Sequence, residues 1–558
     1  MKKIPYGIAD YKRVKEENFY FIDKTRFIKE IEETDSFSMF LRPRRFGKSL
    51  LISMLHYYYD VHYKESFDML FGDTYIAKHK TKEANSYHIL RFDFSMVVVD
   101  NVKVNFYEYL LIILKSFVSR YKIDIEIDAI PTIVLNKIFD YFRNHPEKKL
   151  YLLIDEYDNF ANKLLLDNQN NYKDIIANKA SLYKQFFTLL KGGAGAENSP
   201  LKKIFITGVT PMTMYDVTSG FNIGSNISTQ PNFNDMVGIN SNELDILLNY
   251  YTLDRKIDRE LLKTWYNNYR FSEDTEQTIY NTDMILYYIK DIIRYNKPPK
   301  ELIDINVRSD YSTLQNIIYT NNKLNGNFET IKSLIGGEAV TLTSLVQDFS
   351  ALDISNEENF KSLLFYLGLI TIDSVGLEIE FKVPNETIKR IDIDFLKDAL
   401  KFKDIFTPRT DHINKSLVEF ARSGDIEVFK LLSSYIKEST SIRDYIENEQ
   451  SVKVMLLAYL SLTPIFIVKS ELELNQGFAD LTLLPLNPYV EHYGLVELKY
   501  IKRGIKDYKK MIPNLVEQAT KQLEQYQNDI LLQPYKKLQF HKIVMVFWGW
   551  ELVEILKV

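Results

Sequence analysis

The segment that most constrains the fold of this chain is residues 42–50, Arg-Pro-Arg-Arg-Phe-Gly-Lys-Ser-Leu. It follows the apolar run 38–41, typical of a short buried strand, and leads into residues 49–56, whose apolar side chains favour a helix. A strand, a tight turn with Gly-Lys-Ser and a helix form a P-loop, where backbone N–H groups and the helix dipole favour phosphate. In such a loop Lys48 reaches the terminal phosphates and the Ser49 hydroxyl ligates Mg²⁺.

The segment departs from the usual P-loop pattern at one position. The pattern has a glycine five residues before Gly47, where this chain has Arg42. Taken alone, the segment is equally consistent with the basic start of a helix in a lysine-rich protein. The candidate nucleotide-binding residues of the loop are Arg44, Arg45, Phe46, Gly47, Lys48 and Ser49.

Two later apolar segments end in polar residues that suit a nucleotide site. Residues 149–158 predict a strand that ends at Asp155 and Glu156. On a strand beside the loop, Asp155 would hold Mg²⁺ through water and Glu156 would polarise the attacking water. Residues 203–210 predict another strand, where Thr207 is placed to sense the γ-phosphate. The alternative is an ordinary strand with acidic turn residues.

Strands and helices alternate through this part of the chain. That order predicts an α/β fold with a parallel sheet wrapped by helices. In such sheets ligands bind at the carboxyl ends of the strands. We therefore expect ATP and Mg²⁺ to bind at that edge.

Composition excludes several other classes of protein. The 558-residue chain predicts three or four domains, and its net charge of -5 is unlike that of a basic nucleic-acid coat. With no cysteine and only 8 histidines, disulfides and thiolate metal sites are excluded and a histidine zinc site is disfavoured. The N-terminus lacks the apolar core of a signal peptide, and no apolar run suits a bilayer span. We therefore expect a cytoplasmic protein without a membrane partner.

The middle of the chain is mostly helical in pattern. Residues 360–372 predict a helix that leads into a strand, and residues 374–377 suit a hairpin turn. Helix, hairpin and helix would form a winged helix, and the alternative is an interdomain scaffold. Arg270 is a candidate arginine finger, for which the alternative is a structural salt bridge.

Near the C-terminus, acidic and basic residues recur on two predicted strands. Asp480 begins one strand, and residues 494–500 form another that carries Glu497 and Lys499. Residues two apart on a strand share a face, and a hairpin would bring Asp480 beside them. Two carboxylates bind a hard cation such as Mg²⁺, which activates water for attack on a phosphodiester while Lys499 steadies charge. The alternative is a hairpin with ordinary surface charges. A local basic patch able to meet phosphates follows, at Lys502, Arg503, Lys506, Lys509 and Lys510.

These segments resemble two known families. The N-terminal half resembles the AAA-ATPase-like family of bacterial proteins, in which the Arg-Pro-Arg-Arg-Phe-Gly-Lys loop is usual. The segments that carry this resemblance are 23–25, 42–49, 93–95, 154–158 and 206–210. Asp480 with Glu497-x-Lys499 resembles the core of the PD-(D/E)XK nuclease superfamily, which has a restriction-endonuclease-like α/β fold. Further positions that match the superfamily are Glu473, Gln522 and Tyr526.

The resemblance implies three regions: an AAA-like P-loop domain at 1–230, a helical lid and linker at 231–430 and a nuclease-like domain at 431–558. It implies catalytic roles for Glu156, Asp480, Glu497, Lys499 and Gln522. Ser49, Asp155, Asp480 and Glu497 are the expected metal ligands, with Mg²⁺ or Mn²⁺ at the nuclease site. Our leading hypothesis is an ATPase coupled to a metal-dependent nuclease, preferring DNA over RNA, in a homo-oligomer and serving defence or mobile-element conflict. The alternative is a nucleotide-dependent switch or adaptor with an inactive nuclease fold.

Overall fold

The computed structural model describes residues 1–98, 101–167, 172–178, 181–195, 198–217, 224–310, 326–402, 410–438, 446, 448–461, 465–474, 477–486 and 489–558. The chain divides into two compact units. The first unit contains Met1–Ile317 and Thr341–Thr387, and the second contains Ile318–Val340 and Ile388–Val558. The three regions expected from the sequence, with boundaries at 230 and 430, stay a prediction.

A five-stranded parallel sheet forms the centre of the first unit. Its strands are β1 (Phe37–Leu41), β2 (Tyr87–Asp93), β3 (Lys149–Asp155), β4 (Leu201–Gly208) and β5 (Ser225–Asn226). They lie in the order β2-β3-β4-β1-β5. The predicted parallel sheet is confirmed.

The strand order corrects one expectation. We placed the strand that ends in Asp155 beside the P-loop strand, but β4 lies between them: Met39 pairs with Ile206, and Ile206 pairs with Ile154. Every residue of β3 from Leu150 to Asp155 is buried, as in a central strand covered on both faces. Apolar content alone could not distinguish an adjacent strand from one that lies two places away.

Helices cover this sheet because their apolar residues recur every three or four positions. In Val102–Arg120, for example, Phe106, Leu110, Leu114 and Phe117 are buried on one face. The α-helices described through residue 310 are Tyr11–Glu16, Phe27–Glu32, Lys48–Tyr59, Phe67–Phe71, Tyr75–Lys78, Val102–Arg120, Pro131–Asn144, Asn159–Asp167, Leu182–Ala194, Met212–Val217, Ser241–Tyr250, Arg259–Tyr266, Thr282–Tyr295 and Ile305–Asp310.

The middle of the chain is helical, as predicted. Helix Glu357–Leu367 ends at Gly368, whose φ of +74° is a left-handed conformation that favours glycine. The antiparallel pair β7 (Thr371–Val375) and β8 (Ile379–Lys382) follows, in a small sheet with β6 (Val340–Leu342). Helix Glu386–Phe402 comes next. The order helix, hairpin, helix is therefore present, and a winged-helix role for it stays a prediction.

The second unit is built on a mixed five-stranded sheet. Its strands are β9 (Phe466–Leu474), β10 (Gly477–Pro485), β11 (His492–Ile501), β12 (Gln539–Trp548) and β13 (Glu551–Lys557). The order is β13-β12-β11-β10-β9, and β11 and β12 are parallel while the other pairs are antiparallel.

A crossover helix, Tyr508–Tyr526, joins the two parallel strands, since parallel neighbours cannot be connected by a tight hairpin. The other α-helices described in this unit are Gly326–Gly336, Thr410–Ser423, Glu427–Glu438 and Glu449–Leu460. No helix within the described part of the chain is long and apolar enough to cross a membrane.

Candidate nucleotide and metal sites

The P-loop forms between β1 and helix Lys48–Tyr59, as predicted. Gly47 lies before the helix with φ +106°, a conformation that few residues other than glycine adopt. The Lys48 ammonium donates hydrogen bonds to the carbonyl oxygens of Arg42 and Pro43, both at 2.9 Å. A cavity of about 390 Å³ opens against this loop. Its lining includes the whole predicted set Arg44, Arg45, Phe46, Gly47, Lys48 and Ser49.

Arg42, which replaces the expected glycine, points into the core. Its side chain is 1% exposed and lies between the rings of Phe40 and Phe271, at 4.5 and 4.3 Å from their centroids. The guanidinium donates to the carbonyl oxygens of Leu41, Ser228 and Phe233, at 2.9, 2.6 and 2.8 Å. Arg42 thus ties the start of the loop to neighbouring segments and does not line the cavity.

The cavity has further walls that the motifs did not indicate. The N-terminal segment contributes apolar surface at Phe21 and Ile22, and later segments contribute Met236, Val237 and Leu286. An apolar pocket beside a phosphate-binding loop suits a nucleotide base. Because these residues are distant in sequence and of ordinary core type, no local pattern could reveal them.

Helix Thr282–Tyr295 contacts the tip of the P-loop. The Thr282 hydroxyl donates to the Phe46 carbonyl at 2.9 Å, and the Asp283 amide donates to the Arg45 carbonyl at 3.2 Å. The Gly238 amide also donates to the Phe46 carbonyl, at 3.0 Å. The loop is therefore held by contacts to its backbone from the chain that follows the sheet.

Asp155 lies buried at the end of β3 with one oxygen available. Its Oδ1 accepts a hydrogen bond from the Thr207 hydroxyl at 2.7 Å, while Oδ2 is buried with no hydrogen-bond partner among the described residues. Burial raises the pKa of Asp155, against the opposing effects of Thr207 and the nearby Ser49 hydroxyl. A carboxylate oxygen in this position suits a cation held between Ser49 and Asp155. Thr207 thus contacts Asp155, and its expected role at the γ-phosphate stays a prediction.

Glu156 lines the cavity in a strained backbone conformation. Its φ is +48°, in the left-handed region that a glutamate rarely adopts. The Asn159 side-chain amide donates to Glu156 Oε2 at 2.5 Å. Burial raises the pKa of Glu156, although the Lys48 ammonium opposes this effect. Glu156 therefore lines the same cavity as Lys48 and Ser49, and its role as a water-activating base stays a prediction.

Arg270 is buried and forms an ion pair with Glu276 Oε1 at 3.3 Å. It is 4% exposed and donates to the carbonyl oxygens of Ser272, Glu273 and Asp373, at 3.2, 2.9 and 3.2 Å. The salt bridge considered as the alternative is therefore present, and a role as an arginine finger stays a prediction.

In the second unit, β10 and β11 bring the predicted acidic residues together. Leu481 pairs with Val496, so Asp480 and Glu497 occupy the next facing positions of the antiparallel ladder. The Leu498 amide donates to Asp480 Oδ2 at 2.8 Å. The Lys499 ammonium lies 2.8 Å from Glu497 Oε1, so the two residues share a face as their spacing predicted.

A divalent cation fits the chemistry of this pair. Glu497 is 2% exposed, and its Oε2 is buried with no hydrogen-bond partner among the described residues. Burial, followed by the negative charge of Asp480, raises the pKa of Glu497 to about 7. No group of three or more His, Asp or Glu in the described ranges is arranged to hold a metal ion. Two carboxylates suit Mg²⁺, which usually keeps several of its waters.

Three charged residues near this pair were not predicted. Lys453, on helix Glu449–Leu460, lies 3.0 Å from Asp480 Oδ1 and also pairs with Glu471. Although burial opposes the effect, Asp480 and Glu471 raise the pKa of Lys453. Burial raises the pKa of Glu449, which also interacts with Asp480. The sequence pointed to Glu473, but that residue is exposed on β9 and Glu471 contacts the site.

The crossover helix contributes the remaining predicted residues. The Tyr526 hydroxyl donates to the Phe478 carbonyl at 3.2 Å, and Glu497 and Asp480 are among the charges that act on it. Gln522 is half-buried one turn before Tyr526, on the same side of the helix. Of the basic patch, Lys502, Lys506, Lys509 and Lys510 are exposed, while Arg503 stacks on Trp548 at 3.7 Å.

Comparisons with known proteins agree with this geometry. Residues 5–218 match the family described as Predicted AAA-ATPase, and residues 447–556 match the PD-(D/E)XK nuclease superfamily. An uncharacterized protein in the vnfD 5' region of Azotobacter chroococcum mcd 1 is 22% identical over 404 residues, covering 70% of this chain and 68% of that protein.

Solved structures give weaker similarities. The Aeropyrum pernix ORC2 protein in ADPNP-ADP complexes is 12% identical, with a TM-score of 0.33 and coverage of 71% of this chain and 98% of that chain. CDC6P from Pyrobaculum aerophilum is 11% identical, with a TM-score of 0.23 and coverage of 66% and 89%. The strand order and the family matches therefore carry the assignment. Two segments of this chain are thus similar to known families: residues 5–218 to the predicted AAA-ATPases and residues 447–556 to the PD-(D/E)XK nuclease superfamily.

Proposed function

We propose that this protein binds and hydrolyses ATP and cleaves nucleic acid phosphodiesters with a divalent cation. One observation carries the proposal. Each of the two predicted metal sites keeps a buried carboxylate oxygen without a hydrogen-bond partner among the described residues: Asp155 Oδ2 and Glu497 Oε2. Buried carboxylate oxygens are costly unless a cation or a proton compensates them.

In the first unit, the chain's own residues provide positioning and charge. Backbone N–H groups at the start of helix Lys48–Tyr59 and the Lys48 ammonium would hold the phosphates. Ser49 and Asp155 would hold Mg²⁺, which neutralises phosphate charge when bound. Glu156 accepts a proton from the attacking water, and Asn159 fixes the orientation of its carboxylate.

In the second unit, Asp480 and Glu497 would hold Mg²⁺ or Mn²⁺, which supplies Lewis-acid activation of water and phosphate. Lys499 lies next to Glu497 and stabilises negative charge that develops on the phosphodiester. The exposed lysines at 502, 506, 509 and 510 contact the nucleic acid backbone. Gln522 and Tyr526 border the same site from the crossover helix.

The second candidate is a nucleotide-dependent switch or adaptor with an inactive nuclease fold. One observation favours it. The Lys453 ammonium lies 3.0 Å from Asp480 Oδ1, so an internal cation already compensates one carboxylate of the pair. A site kept permanently in this state would bind no metal and cleave nothing.

A cleavage assay separates these functions. Purified protein is incubated with Mg²⁺ or Mn²⁺ and linear, circular or single-stranded DNA, or RNA, with and without ATP. The control variant is Glu473→Gln, since Glu473 is exposed on the neighbouring strand. Loss of cleavage in Asp480→Asn, with cleavage kept in Glu473→Gln, establishes the nuclease. No cleavage under any condition, with ATP still bound, favours the switch. Faster cleavage of DNA than of RNA supports DNA as the preferred substrate.

Two further properties belong to this proposal. Sedimentation with and without ATP tests the expected homo-oligomer. Plasmid or phage challenge of cells that express wild type or Asp480→Asn tests a role in defence or mobile-element conflict. Protection that survives in the Asp480→Asn cells would contradict a nuclease-based role.

A further inference from the structure

Lys453 contacts the candidate nuclease site from outside the motifs that identify it. It lies on helix Glu449–Leu460 and is only 4% exposed. Its ammonium lies 3.0 Å from Asp480 Oδ1 and also forms an ion pair with Glu471. Lys453 is therefore a buried cation placed between two carboxylates.

The neighbouring strand is shaped to make this contact. In the ladder between β9 and β10, Ser470 pairs with Leu481 and Leu472 pairs with Ala479. Glu471 consequently stands across from Asp480, with a φ of +49°. A glutamate in the left-handed region inside a strand is strained, and strain of this kind concentrates at functional sites.

The carboxylate pair has few oxygens left for a metal ion. Asp480 Oδ1 contacts Lys453, Asp480 Oδ2 accepts from the Leu498 amide, and Glu497 Oε1 contacts Lys499. Glu497 Oε2 is the one oxygen of the pair with no partner among the described residues. A divalent cation that uses both residues must therefore compete with Lys453 at Oδ1 or share Oδ2 with the Leu498 amide.

We infer that Lys453 is a positioning residue that occupies Asp480 while the divalent cation is absent and must release Asp480 Oδ1 before the cation binds. This inference rests on the proposed metal-dependent nuclease. An ammonium has only donors and cannot ligate a cation, and two positive charges on one carboxylate repel each other. Lys453 therefore lowers the metal affinity of the site and keeps its carboxylates compensated when no metal is bound.

Mn²⁺ binding to the full chain tests the inference. Free Mn²⁺ is measured by electron paramagnetic resonance without nucleotide, in an Asp155→Asn background that removes the candidate metal ligand of the ATP site. Lys453→Met removes the charge and keeps the side-chain length, whereas Lys453→Arg keeps the charge. Lys430→Met is the matched control, since Lys430 forms an exposed ion pair with Glu427 at 3.1 Å in the same unit.

We expect Lys453→Met to bind Mn²⁺ at least about tenfold more tightly than wild type, a difference of roughly 1.4 kcal/mol. Lys453→Arg and Lys430→Met should bind as wild type does. Mn²⁺ should also raise the melting temperature of Lys453→Met more than that of wild type. If Lys453 were only structural, its loss would loosen the site and weaken Mn²⁺ binding.

The outcomes separate the two proposals. Tighter binding by Lys453→Met that disappears on adding Asp480→Asn supports the role of Lys453. If Lys453→Met binds Mn²⁺ no more tightly than wild type while Asp480→Asn still loses binding, the role of Lys453 is overturned and the metal site stays in place. Two results would overturn both the role of Lys453 and the metal-dependent nuclease: no Mn²⁺ binding in any variant, or Mn²⁺ binding that Asp480→Asn does not change.

Discussion

Replacing Arg42 by glycine restores the usual P-loop pattern, and we expect it to destabilise the protein. Arg42 donates hydrogen bonds shorter than 3 Å to three carbonyl oxygens, a longer one of 3.5 Å to the Asn234 carbonyl, and lies over the rings of Phe40 and Phe271. Glycine would leave those carbonyls without their donor and open a cavity between the rings. It would also add backbone freedom to the unfolded chain.

The magnitude follows from opposing effects. Three hydrogen bonds from a charged donor stabilise by about 5–9 kcal/mol, and stacking on two rings adds about 1–2 kcal/mol. Burial of the charge opposes them, since it lowers the pKa of Arg42 from 12.5 to about 9. That change corresponds to a cost of roughly 5 kcal/mol. We therefore expect Arg42→Gly to lose about 3 kcal/mol of unfolding free energy.

Urea unfolding measured by tryptophan fluorescence gives this number. The chain has 3 tryptophans, of which Trp265 lies buried in the first unit. Replacing Trp548 and Trp550 by phenylalanine in every protein compared makes Trp265 the reporter for that unit. Arg44→Gly is the control, because Arg44 lines the cavity and its loss should alter ATP affinity more than stability.

An Arg42→Gly protein as stable as wild type would contradict a stabilising role of the buried guanidinium. Tighter ATP binding by Arg42→Gly would also contradict it, since that would mean that the arginine distorts the loop. A stability loss of equal size in Arg44→Gly would show that the effect belongs to any arginine in this segment.

Three other substitutions test separate parts of the protein. Glu156→Gln should bind ATP but hydrolyse it about 10²–10⁴-fold more slowly, measured by phosphate release beside nucleotide binding. Lys499→Met should keep Mn²⁺ binding but cleave nucleic acid about 100-fold more slowly, and unchanged cleavage would remove Lys499 from the mechanism. The third concerns Asp60: although burial opposes the effect, the hydrogen bond from His56 and the charge of Arg120 help to lower its pKa to about 2. Because this carboxyl has a lowered pKa, its stabilisation of about 2 kcal/mol is present above about pH 4 and lost as the pH falls toward 2. Asp60→Asn should lack that stabilisation at neutral pH. The difference in unfolding free energy between this variant and wild type, measured in urea, should disappear in acid.

Local patterns determined much of the candidate site. The P-loop followed from an apolar strand, Gly47 and a helix, because each is set by residues close in sequence. The shared face of Glu497 and Lys499 followed from strand periodicity, which places residues two apart on one side. A short hairpin then brought Asp480 to the same place. These features depend on short-range geometry that a single sequence contains.

The tertiary structure decided what the local patterns could not. The insertion of β4 between β1 and β3 turns Thr207 toward Asp155, since strand order depends on long-range packing. The buried guanidinium of Arg42 contacts Phe271 and the carbonyl of Phe233, which are distant from it in sequence. Lys453 reaches Asp480 from a preceding helix, with nothing in its own segment to mark it. Residue types and spacing determine which groups can do chemistry, whereas burial and partners contributed from distant segments determine which of them meet.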